Sequence, residues 1–258
     1  MTLERLFQIN LAILYPAVIL VIAAAGELGH RLGLRLRRLD RERPDLGTLT
    51  GAALGLLALL LAFSFSTSLS RFDTRRLMVL EEANAISSTA NFALMLPQPA
   101  QGAILTLLRD YAGVRLNLGI PFDPRKMERE IGRSLELQAQ LWQQAVAVTT
   151  TAPQSLPAHR FVASLNEMNN IHERRITALR YHVPVPVVLM LMSVAIVAMM
   201  FAGYNAGATG ARRLLPHLIM AVTVGALILL VIDLDSPHRG LIQVPVQALV
   251  DAAQGIPP

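Results

Sequence analysis

Four apolar stretches decide what this chain can fold into: Phe7 to Ala25, Leu49 to Leu69, Val183 to Ala202 and Leu214 to Ile232. Each can cross about 30 Å of hydrocarbon at 1.5 Å per residue, and a bilayer admits such a segment only as a helix that satisfies its own backbone. Composition points the same way. With 53% hydrophobic and 16% charged residues and a mean hydropathy of +0.46, the chain lies outside the range of ordinary globular proteins. The first stretch ends in Ala23, Ala24 and Ala25, which resemble a cleavage site. Its leader, however, offers only Arg5 offset by Glu4, and its apolar run is longer than a signal peptide needs, so an anchor is favoured.

The expected fold class is therefore an all-α membrane protein: four transmembrane helices with a helical bundle domain inserted between helices two and three. Residues 1–70 would hold spans one and two, 71–182 the soluble bundle, and 183–258 spans three and four with a short C-terminal tail. The absence of cysteine removes disulfides and thiolate chemistry. A formal charge of +5 from 23 basic and 18 acidic side chains suits cytoplasmic loops or anionic lipid. Nucleic acid is not expected as a partner, because the basic residues are scattered and lack interleaved aromatics.

Arginine placement predicts orientation. Arg31, Arg35, Arg37, Arg38, Arg41 and Arg43, diluted by Asp40 and Glu42, lie between spans one and two, and Arg212 and Arg213 between spans three and four. Those connections should face the cytoplasm, placing both termini and the bundle outward, in the periplasm of a cell whose inner membrane holds the chain. Arg71, Arg75, Arg76, Arg174, Arg175 and Arg180 flank the membrane on the bundle side and pull against this assignment.

Between Leu56 and Leu96 there is neither glycine nor proline, so span two should continue into the bundle as one helix of about 60 Å, ended by Pro97 and Pro99. A second bundle helix is expected from Ala100 to Asn117, followed by a loop with Gly119 and Pro121. Asp123 with Pro124 is a good cap and first-position pair for a third helix. That helix repeats Met127, Ile131, Leu135, Trp142 and Val146, read as its buried face. Thr149 to Ser155 reads as a polar loop, and Ser155 with Pro157 opens a fourth helix toward Tyr181. Pro184 and Pro186 mark the entry to span three.

Several constellations could carry function. Gly47, Gly51 and Gly55 form a doubled small-residue pattern at the start of span two, suited either to an oligomer seam or to packing against span one. Ser64, Ser68, Arg71, Arg75 and Glu82 recur at helical spacing as one polar stripe, with Thr67, Asp73 and Asn84 beside it. The stripe reads as a solvated exit with local ion pairs or as a polar path leading into the bilayer. Span four ends in Asp233 and Asp235, with Arg239 shortly after. The ends of spans two and four lie on one side of the membrane, so these aspartates can meet Arg71 or Arg75 as a structural lock or as an ion-binding gate. A hard divalent cation would suit Asp233, Asp235 and Glu82, but two acids with one intervening residue are a common accident, and neither metal nor cofactor is assigned. The run Asn166, Glu167, Asn169, Asn170, His172, Glu173, Arg174, Arg175 reads mainly as a solvated face. No zincin helix, Walker loop, nucleophile elbow or His/Cys cluster occurs, so no enzymatic site is expected.

Several of these segments together resemble the bacterial bestrophin-like membrane proteins. The resemblance rests on Ala62-Phe63-Ser64-Phe65-Ser66, Arg71-Phe72-Asp73-Thr74-Arg75-Arg76, Glu82-Ala83-Asn84-Ala85-Ile86, Leu96-Pro97, Leu165-Asn166-Glu167-Met168 and Asp233-Leu234-Asp235-Ser236-Pro237-His238-Arg239-Gly240, in order over nearly the whole chain. It departs at Asn170, where the family pattern often has an acid. It implies a four-span protein with an inserted helical domain and, through the family name, an anion channel. The functional expectation is a homo-oligomeric ion channel passing inorganic ions, anions before cations, with span two bordering the path. The alternative is a non-conducting scaffold or sensor that binds an envelope partner through its bundle.

Overall fold

The computed structural model describes residues 11–38, 46–118, 123–210, 214–236 and 240–257. Arg5, Asp40, Arg41, Glu42, Arg43, Gly119, Pro121, Arg212, Arg213, Pro237, His238 and Arg239, named above, lie outside them. The described chain forms eight helices: α1 Leu11–Arg38, α2 Gly47–Ala93, α3 Ala100–Leu116, α4 Pro124–Thr151, α5 Leu156–Arg180, α6 Val185–Thr209, α7 Leu214–Asp235 and α8 Gln247–Gln254. Four helices are long and apolar enough to cross a membrane. The chain divides into two compact units, residues 1–71 with 182–236 and residues 72–181 with 237–258. The helix α2 contributes to both.

In the membrane unit, α1, α6 and α7 pack on one another. Ile22, Leu57, Leu61, Leu191, Ala195, Met199, Ala221, Ile228 and Leu229 form its core. The tightest seam joins α1 to α6, and glycine makes it. A Cβ at Gly29 or Gly33 would fall within 3.0 Å of the α6 backbone at Met200 or Tyr204, and one at Gly203 or Gly207 equally close to the α1 backbone at Gly26 or His30. Where lipid is as apolar as the helix surface, such backbone contact supplies the dispersion that holds helices together. The α1 helix also runs past its apolar span, so Arg31, Arg35, Arg37 and Arg38 ride on its last turns rather than in a loop.

The bundle unit is built from the later part of α2 with α3, α4, α5 and α8. Ile86, Ile104, Leu108, Leu137, Leu141, Phe161, Leu165, Met168 and Leu249 form its core. Asp123 accepts from Arg125 N at 2.9 Å and Ser155 from Ala158 N at 3.3 Å, as their sequence context predicts for helix caps. Two details differ from expectation. The helix α4 does not end at Thr149: the hydroxyls of Thr149, Thr150 and Thr151 bond back to the carbonyls of Ala145, Val146 and Ala147, and the helix continues to Thr151.

Its buried face is also not the one anticipated. Ser134, Leu137, Gln138, Leu141, Ala145 and Val148 are buried, while Leu135, Trp142 and Val146 are exposed. Met127 and Ile131 do pack, against Leu118, Ile176 and Leu179. Steps of four residues advance about 40° around a helix of 3.6 residues per turn, so the anticipated stripe winds off the core within two turns. Alternating steps of four and three hold the buried set in place.

The segment that follows α7 groups with the bundle. Leu249, Ala252 and Ile256 enter the bundle core, and the Arg109 guanidinium donates to the Pro257 carbonyl at 2.8 and 3.0 Å.

Candidate functional site

In the membrane unit, Ser64 and Ser68 of α2 are buried, and Ser68 Oγ has no hydrogen-bond partner among the described residues. Arg71, at the end of this part of α2, is half-buried, and its Nη1 is enclosed without a hydrogen-bond partner among the described residues. At the end of α7 both carboxylates are buried. Asp233 accepts from the Tyr15 hydroxyl at 3.3 Å. Asp235 accepts from the Val183 backbone N–H at 2.7 Å and lies 3.5 Å from His182 Nδ1, so it fixes the entry to α6 just ahead of Pro184 and Pro186. Hydroxyls and carboxylates at the ends of the spans are thus enclosed by protein, the arrangement that spares them contact with acyl chains. A cavity of about 380 Å³ lies elsewhere in the unit, lined in part by Thr50, Asn205, Thr209 and His217, with Asn205 donating to Thr50 Oγ1 at 3.1 Å. None of the residues singled out above line it.

The glycine pattern of α2 behaves differently from those of α1 and α6. Gly47, Gly51 and Gly55 are exposed, and a Cβ at Gly51 or Gly55 would meet nothing within 4 Å. Close packing against span one falls to Gly203 and Gly207 of α6 instead.

In the bundle unit the polar stripe of α2 separates into distinct roles. Arg75 is buried and donates to the carbonyls of Ala178 at 3.2 Å and Tyr181 at 2.6 Å, a cationic cap on the C-terminus of α5. Asp73 and Asn84 are exposed. Glu82 is inaccessible to solvent, and so is Arg115 of α3, which donates from Nε to Glu82 Oε1 at 2.6 Å. Arg175 of α5, also buried, donates from Nη1 to Glu82 Oε2. The Tyr111 hydroxyl donates to Glu82 Oε1 at 3.2 Å, lies 3.1 Å from His172 Nδ1, and accepts from Gln138 Nε2 at 3.4 Å. Held by two guanidinium groups, Glu82 is unsuited to serve as a cation ligand. Among the described residues no group of three or more His, Asp or Glu side chains is placed to hold a metal.

The cluster sets its own protonation states. Burial alone would raise the Glu82 carboxyl, but Arg115 and then Arg175 override it and hold the group below its usual range. Burial, with Arg115 adding to it, pushes the His172 imidazole down to about 4. Burial and Glu82 raise the Tyr111 phenol. At neutral pH the cluster thus combines a carboxylate, two guanidinium cations, a neutral imidazole and a neutral phenol.

An acid-sensitivity follows. An unfolded chain's imidazole titrates near 6.5, so between about pH 6.5 and 4 the unfolded state binds more protons at His172 than the folded state. The contribution of a neutral His172 is complete above pH 6.5 and is lost as pH falls toward 4, by up to about 3 kcal/mol. Glu82 adds a further loss once pH drops below the ordinary carboxylate range. His172→Gln is expected to flatten the decline in melting temperature between pH 7 and 4.5, and equal declines in variant and wild type would rule out this role.

Sequence reasoning singled out Glu82 and noted His172 and Arg175 within a mostly solvated run, but passed over Tyr111, Arg115 and Gln138. A signal was present. Ile104, Leu108, Tyr111, Ala112 and Arg115 share one face of α3, and Leu165, Met168, Ile171, His172 and Arg175 one face of α5. An arginine in phase with a buried apolar stripe points to an enclosed partner.

The fold and its enclosed polar groups define an integral membrane protein of four spanning helices with an inserted helical bundle. Residues 18–249 match the family described as the Bestrophin-like domain, and the chain belongs to that family. Solved structures share the fold. A variant of a protein described as a membrane protein superposes with a TM-score of 0.74 over 94% of this chain and 97% of its own, at 13% identity. A bacterial bestrophin homologue from Klebsiella pneumoniae gives 0.73 over 92% and 97%, also at 13% identity. A point variant of that homologue gives 0.72 over 92% and 96%, at 14% identity. No curated protein matches the sequence.

Proposed function

We propose that the chain is one subunit of a homo-oligomeric ion channel in a bacterial inner membrane, with anions as the favoured ions. The observation that carries this reading is the enclosure of Ser68 and Asp233 by protein at the ends of apolar spans, where polar groups belong beside a wet path rather than lipid. Arg71, half-buried next to Ser68, tilts the preference toward anions. The bare glycine face of α2 supports assembly, since it offers a second subunit's helix close approach that no described helix of the same chain takes up. Asp235, buried at the end of α7, completes the proposed gate. The reading assigns no catalysis.

Reconstituted protein is expected to pass anions in a liposome flux assay. Arg71→Ala and Asp233→Asn should each lower the rate roughly tenfold, the scale of one lost charged interaction. Absence of flux, or variants as active as wild type, would overturn the proposal. The exposed apolar stripe Leu135, Trp142 and Val146 on α4 favours a second reading, a scaffold that binds an envelope partner through the bundle. A monomer in detergent without flux would favour that scaffold.

The proposed orientation places the bundle in the periplasm. Arg75 and Arg175 are taken up by a helix cap and an ion pair, so they weigh less against the arginines at the end of α1. A cysteine introduced at the exposed Gln140 should react with an impermeant maleimide in intact spheroplasts. Labelling only after lysis would reverse the orientation.

A further inference from the structure

The charges inside the bundle do not balance. Among the described residues Glu82 is the one carboxylate in contact with both Arg115 and Arg175, and the remaining members, Tyr111, Gln138 and His172, are neutral. A further acid, Glu173, lies 4.0 Å from His172, and its side chain is 68% exposed, so water carries most of its charge. One positive charge is left within this cluster. Burial draws the Arg175 guanidinium down from its ordinary range, but Glu82 pulls it back, and a guanidinium stays protonated in proteins.

The hydrogen-bond pattern carries the same surplus. Arg115 faces Glu82 with Nε and Nη2, and Arg175 with Nη1. This leaves Arg115 Nη1 and Arg175 Nε, each enclosed by protein, without a hydrogen-bond acceptor among the described residues. A charged donor buried without an acceptor is among the more expensive arrangements a core can hold, and native structures rarely leave one. Two such donors beside one uncompensated cation specify the complement: a small monovalent anion.

We infer that the Glu82–Arg115–Arg175 cluster of the bundle binds a halide-sized inorganic anion through Arg115 Nη1, Arg175 Nε or both. Enclosure argues against a phosphate or another oxyanion, whose several oxygens would need more donors than the two available. The anion is a resident of the bundle, acquired as the bundle closes and exchanged only when it opens. It is separate from the ion path proposed for the membrane unit and does not depend on conduction.

Bromide is the probe. Full-length protein prepared in sodium bromide and crystallised is expected to show an anomalous peak within hydrogen-bonding distance of Arg115 Nη1 or Arg175 Nε. In detergent, the melting temperature of wild type should rise with the logarithm of bromide concentration when gluconate keeps ionic strength constant, as mass action requires for a ligand of the folded state. Arg175→Met removes the surplus cation but keeps the Glu82–Arg115 pair, so its melting temperature should not respond to bromide. A map with no peak at the cluster, or a variant whose bromide response equals that of wild type, would overturn the inference. Should Arg175→Met fail to fold, the anomalous map of wild type decides alone. A peak at the cluster in protein that shows no flux would sustain the site while removing the channel.

Discussion

Glu82→Gln is expected to destabilise the protein by about 3–5 kcal/mol, the scale for removing one partner from a buried ion pair, and to leave little folded material in detergent. Glutamine keeps the shape of the side chain but strands Arg115 and Arg175 as two unpaired cations in a core that excludes water. Its amide would also present a donor to guanidinium groups that need acceptors. The contrasting variant replaces all three residues with methionine. Because desolvating an ion pair consumes most of what its attraction returns, that triple replacement should fold about as well as wild type. Thermal melts monitored by size-exclusion chromatography would check both. A Glu82→Gln protein that melts with wild type would refute the assignment of Glu82 as the keystone of the bundle.

Gly203→Val is the second substitution with a large expected effect. Its side chain would meet the Gly26 carbonyl, a backbone atom that can yield only if α1 and α6 separate along their whole seam. Overpacking against a yielding side chain costs about 1–3 kcal/mol, and a backbone contact should lie at or beyond the top of that range. Gly55→Val supplies the internal comparison, because no described residue lies within 4 Å of a Cβ there. Its subunit should keep the wild-type helix content and lose assembly instead, if α2 is the seam between subunits. Equal melting temperatures for Gly203→Val and wild type would show that the close approach of α1 and α6 is dispensable.

The contrast between those two glycines measures how far sequence could be read. Apolar length alone gave the four spans, since a bilayer leaves no other structure open to them. The caps at Asp123 and Ser155 and the absence of breakers through α2 gave most of the bundle, because each is a local rule about the backbone. What depended on partners was harder. Gly51 with Gly55 and Gly203 with Gly207 carry the same small-residue spacing, yet only the second pair finds a helix in its own chain. The stripe from Ser64 to Glu82 looked continuous because its period is helical. Its members nevertheless serve different neighbours: Ser68 is enclosed in the membrane unit, Arg75 caps α5, and Glu82 anchors the buried cluster. Periodicity reports which residues share a face, but not where along a long helix that face changes surroundings. The exposed Leu135, Trp142 and Val146 make the same point, since apolar identity was visible and its phase against α5 was not.

The placement of α8 has a bearing on assembly. Residues 72–181 are translated before α6 and α7, but the core they form is completed by Leu249, Ala252 and Ile256, which follow α7 in the chain. During synthesis the earlier bundle segments must therefore wait, with their apolar faces only partly covered, until the last two hydrophobic segments have left the ribosome. Order of translation thus turns completion of the bundle into a late checkpoint, one that a chain stalled or misinserted before α7 cannot pass.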